Sequence, residues 1–404
     1  MHVSPLELAS CVAAPPSLVI APADGHSVPM SQVLISILGL AMLAIVLLDA
    51  FETIILPRQV TRRWRLTRLF YLATWRPFAS IACKLPPKRA ERWLSAFGPL
   101  SLILLLTFWA LLLVCGFGAL HFADQTVNAS TTWARIGMSV YYSGTTLFTL
   151  GLGDFSPHSP MARFLTVCES FLGLGFLAAI VGYFPVLYQA FSRREVQISL
   201  MDARAGSPPS ATELLRRHSD DSGNEEIQNM LKDWERWAAE VMESHLSYPV
   251  LCFFRSQHDH ISWVATLATV LDASTLVLVG IDGACQRQAT MTFAMARHAI
   301  VDLCQVMNQP PKKGYPERLP DADRTRMRRV LAEAGLRLQD SDEADQRLTE
   351  LREMYEPYLF AMSALLRMEL PQWIRAGGPD NWQTSAWGRI TGDRQVPIAP
   401  EHQI

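Results

Sequence analysis

Two glycines alternate with larger residues at positions 149–154, which read Thr-Leu-Gly-Leu-Gly-Asp. A strand that replaces the water around a potassium ion must aim successive carbonyl oxygens at one axis. The unusual dihedral angles that this requires are best adopted by glycine, and Gly151 and Gly153 stand at alternate positions. The pattern therefore predicts a strand that coordinates a dehydrated cation through its backbone.

The other residues of this stretch have separate expected roles. The Thr149 hydroxyl would close the inner end of the strand, whereas Leu150 and Leu152 would point away from the axis and pack behind it. Coordination by rings of carbonyls needs four strands, and the chain carries one such loop. We therefore expect a homotetramer that needs no cofactor besides the permeant potassium ion.

Residues 149–154 resemble the potassium-channel signature Thr-Val-Gly-Tyr-Gly-Asp, and their Gly-Leu-Gly-Asp ending is similar to the second pore loop of two-pore-domain potassium channels. The resemblance extends over about residues 97–192. It implies that Tyr141 and Tyr142 brace a selectivity filter and that Asp154 begins its outer mouth.

Two departures from the potassium signature narrow this expectation. Leucine replaces the usual valine at 150 and the common tyrosine at 152, and the second change removes a phenolic hydrogen bond that often stiffens the filter. A non-selective cation channel is therefore an alternative. A glycine-rich turn between two helices is the plainest alternative, but short helix, filter, mouth and hinge follow in the order of a pore.

The composition places part of the chain in lipid. The 404 residues are 50% apolar, which is long and apolar for one ordinary soluble domain. A net charge of -2 gives no electrostatic argument for a nucleic-acid partner. The seven cysteines are widely spaced and odd in number, so we expect neither a disulfide framework nor a zinc cluster.

Three stretches have the length and apolar character of membrane spans: residues 31–56, 100–121 and 161–190. Residues 133–148 have helical spacing of apolar residues but are too short to cross. A re-entrant segment is tolerated only where protein buries it or it lines a water-filled cavity, so this short helix should lead to a pore. We predict an all-α membrane protein with three transmembrane helices, a re-entrant pore helix and filter, and an all-α cytoplasmic domain.

The distribution of basic residues predicts the orientation. Residues 57–96 hold ten Lys or Arg and the single acid Glu91, so this loop should stay cytoplasmic. The N-terminus would then lie outside a plasma (inner) membrane and everything after residue 192 inside. The predicted order is an extracytoplasmic tail at 1–30, a transmembrane helix at 31–56, a basic cytoplasmic loop at 57–96, a pore module at 97–194 and a helical cytoplasmic domain at 204–404.

Acidic residues inside the predicted spans are functional candidates by default. Asp49 and Glu52 could form a structural ion pair with Arg58 or Arg62, or act in gating or lipid contact. Glu169 could face the cavity and concentrate cations.

Behind the filter, Glu169 could instead hydrogen-bond Ser143 or Thr145. We count Thr145 among the residues that support the filter. We favour this position behind the filter.

Two positions on the third span are hinge candidates. Gly173 follows Gly153 by twenty residues, where the resemblance implies a hinge glycine in the inner helix. Pro185 removes a backbone hydrogen bond and kinks a helix, either to form an inner gate or for packing alone. A hinge at Gly173 would place one face of the helix along the cavity: Ser170, Leu174, Leu177 and Val181.

The C-terminal half shows helical periodicity after a Gly- and Pro-containing linker at 203–210. Predicted helices cover 224–246, 286–308, 321–335 and 342–370, with Ser222 and Glu225 spaced as a capping box. Residues 261–281 lack Lys and Arg, which admits either a fourth span or a buried helix; their polar residues favour the buried helix.

No arrangement in the sequence predicts an enzyme or a nucleotide-binding domain. A metal site at 258–260 with His245 and Cys252 is conceivable, but solvated or capping residues explain these side chains better. The leading hypothesis is a potassium channel gated through its cytoplasmic domain, whose ligand or protein partner is open. The alternatives are a potassium transporter subunit and a membrane-anchored sensor or scaffold with a non-conducting pore fold.

Overall fold

The coordinates are a computed structural model, which describes residues 29–56, 65–219, 224–256, 261–281 and 285–375. These residues form α-helices, one 3-10 turn and an isolated bridge between Ile281 and Leu338. The prediction of an all-α membrane protein with a helical C-terminal region is confirmed.

The N-terminal half consists of five helices, and α1 packs on α3 through an approach between small residues. At Gly39 an added Cβ would lie 2.9 Å from the carbonyl oxygen of Gly116, and at Gly116 it would lie 2.8 Å from Leu43. Small residues permit such close backbone contact between membrane helices. The five helices are α1 (Met30–Ile54), α2 (Leu66–Ala82), α3 (Pro87–Ala123), α4 (Thr132–Leu147) and α5 (Pro160–Ala205).

The predicted basic loop contains a helix, α2, that the sequence did not reveal. Trp75 of α2 is buried, and its indole N–H donates to the carbonyl of Leu365 at 3.0 Å. Tertiary packing against the C-terminal domain therefore holds this ring.

The C-terminal domain surrounds one helix, α8 (Trp263–Gly280), which contacts α9, α11, α6 and α12. It also comprises α6 (Ala211–Arg217), α7 (Asn224–Ser247), the 3-10 turn Pro249–Phe253, α9 (Gln286–Val306), α10 (Asp321–Glu333), α11 (Asp342–Glu353) and α12 (Glu356–Leu366). Like α1, α3 and α5, α8 is long and apolar enough to cross a membrane, but 94% of its residues are buried in protein. Residues 261–281 thus supply the core of a helical domain.

A buried ionic network holds α8 in place. Asp272 accepts from the guanidinium of Arg318, at 2.5 Å, and from the hydroxyl of Tyr355, at 2.7 Å. Arg318 also pairs with Glu356 at 3.1 Å and donates to the carbonyl of Pro371 at 2.8 Å. Because a buried charge is costly without partners, this network explains how an acid can lie inside the domain.

Several predicted boundaries are corrected by the structure. The predicted helix at 342–370 is two helices, since Pro357 lies in the first turn of α12 and cannot continue a preceding helix. The second and third spans extend to the longer helices α3 and α5. The predicted linker at 203–210 is a short turn, because the end of α5 packs into the domain core with buried Met201 and Ala205.

Candidate functional site

Helix α4, the predicted pore helix, ends in a left-handed turn at the start of the predicted filter, residues 149–154. The N–H of Leu150 bonds to the carbonyl of Thr145 at 2.8 Å, and the N–H of Thr149 bonds to that of Thr146 at 3.0 Å. These are the two hydrogen bonds of a Schellman motif, which puts Thr149 at the position where glycine is usual. Thr149 has φ 56°, a conformation that costs a β-branched residue about 1–3 kcal/mol. The sequence did not signal this strained residue.

The left-handed conformation recurs at alternate residues of the strand. Gly151 has φ 57° and Gly153 has φ 76°, so both glycines have the unusual dihedral angle that the sequence predicted for them. Carbonyl coordination of an ion needs a strand whose successive carbonyls face one axis, and alternating left-handed residues are compatible with such a strand.

The leucines of the filter have little cover from their own chain. Leu150 and Leu152 are each 63% exposed, so the predicted packing behind the filter is not completed within a single chain. Tyr141 is half-exposed beside Asp154, with its ring edge-on to Phe155 at 6.3 Å. The mouth residues are thus close together, and much of their surface is open.

The second tyrosine and Thr145 lie on the buried side of the pore helix. The Tyr142 hydroxyl is 2.8 Å from Oγ1 of Thr166 on α5. Thr145 donates to the carbonyl of Tyr142 at 2.9 Å, so its hydroxyl is used within α4. Tyr142 thus connects the pore helix to the inner helix, as a bracing residue should.

Glu169 is fully buried and contacts α4, the helix that precedes the predicted filter. It accepts a hydrogen bond from the hydroxyl of Ser143 on α4. Its other oxygen is 2.9 Å from Nε2 of His121 at the end of α3. His121 was missed by sequence reasoning, because no local pattern connects two residues that are 48 positions apart.

The two hinge candidates lie within one continuous helix. An added Cβ at Gly173 would lie 2.0 Å from the carbonyl oxygen of Leu147, so close packing against the end of α4 already requires glycine there. Pro185 lies inside α5, which stays helical on both sides. Hinge motion at either position stays a prediction. Leu174, Leu177 and Val181, predicted to line the cavity, are all exposed in the single chain.

The acids of α1 have partners among the described residues, whereas their predicted pairing with Arg58 or Arg62 stays a prediction. Asp49 is buried and accepts from the backbone N–H of Thr67 at 3.0 Å and from the indole of Trp109 at 3.0 Å. It thereby caps the first turn of α2 and holds it against α3. Glu52 pairs with Arg65 at 3.6 Å. Arg58 and Arg62 lie outside the described residues.

An apolar cavity of about 380 Å³ lies beside the start of the filter. Its walls come from α3, the end of α4 and α5, and include Leu106, Leu147, Thr149, Leu174 and Phe176. Among the described residues no group of three His, Cys, Asp or Glu could hold a metal ion. Residues 258–260 of the conceivable metal site lie outside the described residues, and His245 contacts Arg194 instead.

Comparison with known proteins agrees with this geometry. Residues 102–189, which include α4, the filter and most of the membrane part of α5, match the model of a family described as ion channel. The match is to a channel family rather than to an enzyme family, and it lies within the predicted pore module.

A protein of Bacillus subtilis (strain 168), named as the uncharacterized membrane protein YdjJ, is 24% identical to this chain over 194 residues. The alignment covers 46% of this chain and 55% of that protein, so the chain spans about half the length of this curated relative. No solved structure matches the chain. The chain is therefore an all-α membrane protein whose residues 102–189 are similar to a family described as ion channel.

Proposed function

We propose that this protein conducts potassium ions as a homotetramer, with one filter strand from each chain. The observation that carries the proposal is the alternation of left-handed residues at Thr149, Gly151 and Gly153 directly after a buried pore helix. A turn that only ended a helix would need one left-handed residue, at the position of Thr149, whereas two more follow here at alternate positions, Gly151 and Gly153.

The exposed surface of the single chain supports a tetramer. Carbonyls from one strand cannot surround an ion, so the site is incomplete without three further copies. The residues that three further copies would cover are those with little cover from their own chain: Leu150, Leu152, Phe171, Leu174, Leu177 and Val181. The alternative of a transporter subunit has less support, because such a chain would carry several filter loops and this sequence has one.

Gating through the C-terminal domain has a candidate connection at Arg194, near the end of α5. Its guanidinium is buried and lies 3.0 Å from Nε2 of His245 on α7. It also donates to the carbonyls of Leu251 at 3.0 Å and Phe254 at 2.8 Å. Movement of α7 and the 3-10 turn would therefore be transmitted to the inner helix.

The proposed orientation puts this domain in the cytoplasm, with the N-terminus outside a plasma (inner) membrane. The basic segment at 57–96 supports it through the preference of Lys and Arg for the cytoplasmic side. Its single acid, Glu91, pairs with Arg255 of the C-terminal domain at 2.6 Å, so the segment and the domain lie on the same side. The bilayer and the other three chains are the proposed partners.

Planar-bilayer recording of the purified full-length protein under opposed potassium and sodium gradients tests the proposal. The reversal potential should follow the potassium gradient, and Gly151→Asp should abolish the current. Gly314→Asp is the matched control, because Gly314 also has positive φ and no neighbour within 4 Å of an added Cβ. A reversal potential indifferent to the potassium gradient would contradict potassium selectivity, and unchanged current in Gly151→Asp would contradict the filter assignment.

Two further measurements test assembly and gating. The mass in detergent should be that of four chains of 45.2 kDa. Arg194→Gln should change the open probability and leave the reversal potential unchanged, because the residue lies far along α5 from the filter. An unaltered open probability would show that this contact does not transmit gating.

A further inference from the structure

A buried cluster outside the filter connects three helices of the pore module. It comprises Glu169 of α5, Ser143 of α4 and His121 of α3, all with no exposed side-chain surface. The carboxylate of Glu169 contacts both of the others through separate oxygens. Ser143 also lies 2.9 Å from the carbonyl of Val114 on α3. The proposed conduction mechanism does not yet use this cluster.

The cluster belongs to a set of contacts that fixes the register between α4 and α5. The polar contacts are those of Tyr142 with Thr166 and of Ser143 with Glu169. One turn farther along both helices, the backbone of Leu147 touches Gly173. Positions 166, 169 and 173 lie on one face of α5, since residues three or four apart share a face. The pore helix is therefore held at a defined height along the inner helix.

His121 extends this contact to the outer helix. Its Nε2 faces Glu169, its Nδ1 lies 3.3 Å from Oγ1 of Thr126, and its ring is edge-on to that of Tyr142 at 4.9 Å. A buried carboxylate is tolerated only with good hydrogen-bond donors, and His121 and Ser143 supply one to each oxygen. Such a pair contributes little stability, and its attested use is to specify one geometry.

The height of α4 determines where the filter begins. Ser143 lies one turn before Leu147, and the left-handed turn at Thr149 follows two residues later. A shift of α4 along α5 would therefore move the first carbonyls of the filter. Functional groups must be held to within about 0.5 Å by the residues that support them.

We propose that His121 and Glu169 are positioning residues for the filter, which set its preference for potassium over sodium by fixing the height of the pore helix. This inference rests on the proposed function. It goes beyond it by assigning selectivity to two residues that touch neither the ion nor the filter strand in the described structure.

Reversal potentials of the full-length protein in proteoliposomes, with potassium on one side and sodium on the other, test the inference. Glu169→Gln and His121→Gln should each lower the permeability ratio of potassium to sodium by about fivefold or more, because each replaces one partner of the hydrogen bond between the imidazole and the carboxyl group. The permeability ratio of the double variant should be no lower than that of the less selective single variant, since the effects of two residues that act as one unit are not additive.

Asp49→Asn is the matched control. Asp49 of α1 is also a buried carboxylate that joins helices of the N-terminal half, but its partners lie on α2 and α3 rather than on α4. It should leave the ratio unchanged. If the wild type is not potassium-selective, the proposed function fails. If the wild type is selective and both Gln variants keep its ratio, only this inference fails. If neither Gln variant assembles while Asp49→Asn does, the pair serves assembly and the inference is wrong.

Discussion

Helices α1 and α8 are both long and apolar enough to cross a membrane, yet the protein uses them in opposite ways. In α1, 22% of the residues in its most apolar stretch are buried in protein, whereas in α8 the share is 94%. The exposed surface of α1 requires lipid, but α8 is covered by other helices. The comparison teaches that apolar length alone does not separate a span from the core of a helical domain.

The polar residues of the two helices make the same distinction. Asp49 lies near the end of α1 and accepts hydrogen bonds from Thr67 of α2 and Trp109 of α3. It thereby connects these three helices. Asp272 lies in the middle of α8 and is neutralised by Arg318. An acid at the centre of a helix therefore needs a partner from the surrounding domain, which lipid cannot supply.

The largest effect should follow from the loss of Arg318, the cationic partner of Asp272. Arg318→Ala would leave Asp272 buried without a cation and Glu356 with Arg352 as its remaining one, and the free energy of unfolding of the C-terminal domain should fall by about 3–5 kcal/mol. Denaturant titration in detergent, followed by tryptophan fluorescence, measures it. Arg347→Ala is the control, since Arg347 is an exposed partner of Glu350. Equal midpoints for the two variants would show that the network does not anchor α8.

Truncation of a leucine on each helix sharpens the comparison directly. Leu271→Ala on α8 opens a cavity in a packed core and should cost about 2–5 kcal/mol. Leu38→Ala on α1 should change stability by less than about 0.5 kcal/mol. The Leu38 side chain is 65% exposed, so it would contact lipid in both the folded and the unfolded protein. Thermal unfolding of both variants in the same lipid nanodiscs gives the two values. Similar losses would mean that α1 is covered by another chain.

The same contrast between a packed and an open position exists within α5, at Gly173 and Gly175. Gly173→Ala would place a methyl group against the backbone of Leu147 and should cost about 1–3 kcal/mol. Gly175→Ala should be neutral, as nothing lies within 4 Å of its added Cβ. Size-exclusion chromatography after heating, which measures how much of the proposed tetramer remains, compares the two variants. If Gly173→Ala assembles normally but alters gating, the position acts as a hinge.

The smallest effect concerns pH in the C-terminal domain. Burial, together with the charge of Arg194, holds the pKa of His245 well below its ordinary value of 6.5, and burial lowers the pKa of His218. Between pH 6.5 and the folded pKa values, the unfolded chain binds more protons than the folded chain. Stability is therefore complete above pH 6.5 and falls as the pH drops, by about 1.4 kcal/mol per unit for each histidine.

Unfolding titrations at a series of pH values test this dependence. His245→Gln keeps an acceptor for Arg194 and should reduce the slope of stability against pH. His298→Gln, at an exposed residue of α9, should leave the slope unchanged. If neither His245→Gln nor His218→Gln reduces the slope of stability against pH, the acid sensitivity comes from carboxylates.

The amino-acid sequence by itself determined the features that depend on local chemistry. The alternating glycines predicted the left-handed residues of the filter, because no other residue adopts that conformation so readily. Apolar length located α1, α3 and α5, and periodicity located α7 and α9 within two residues of their observed ends. An acid in the third span was expected to turn toward Ser143, and it does.

Only the tertiary structure decided which distant residues meet. The partner of Glu169 is His121, that of Asp49 is Trp109, and that of Trp75 is a carbonyl 290 positions away. These contacts leave no periodic or local signal, since each depends on how whole helices pack. The burial of α8 was likewise decided by the helices around it. Local conformation is determined by each residue and its neighbours, whereas the use of a side chain depends on what the fold brings to it.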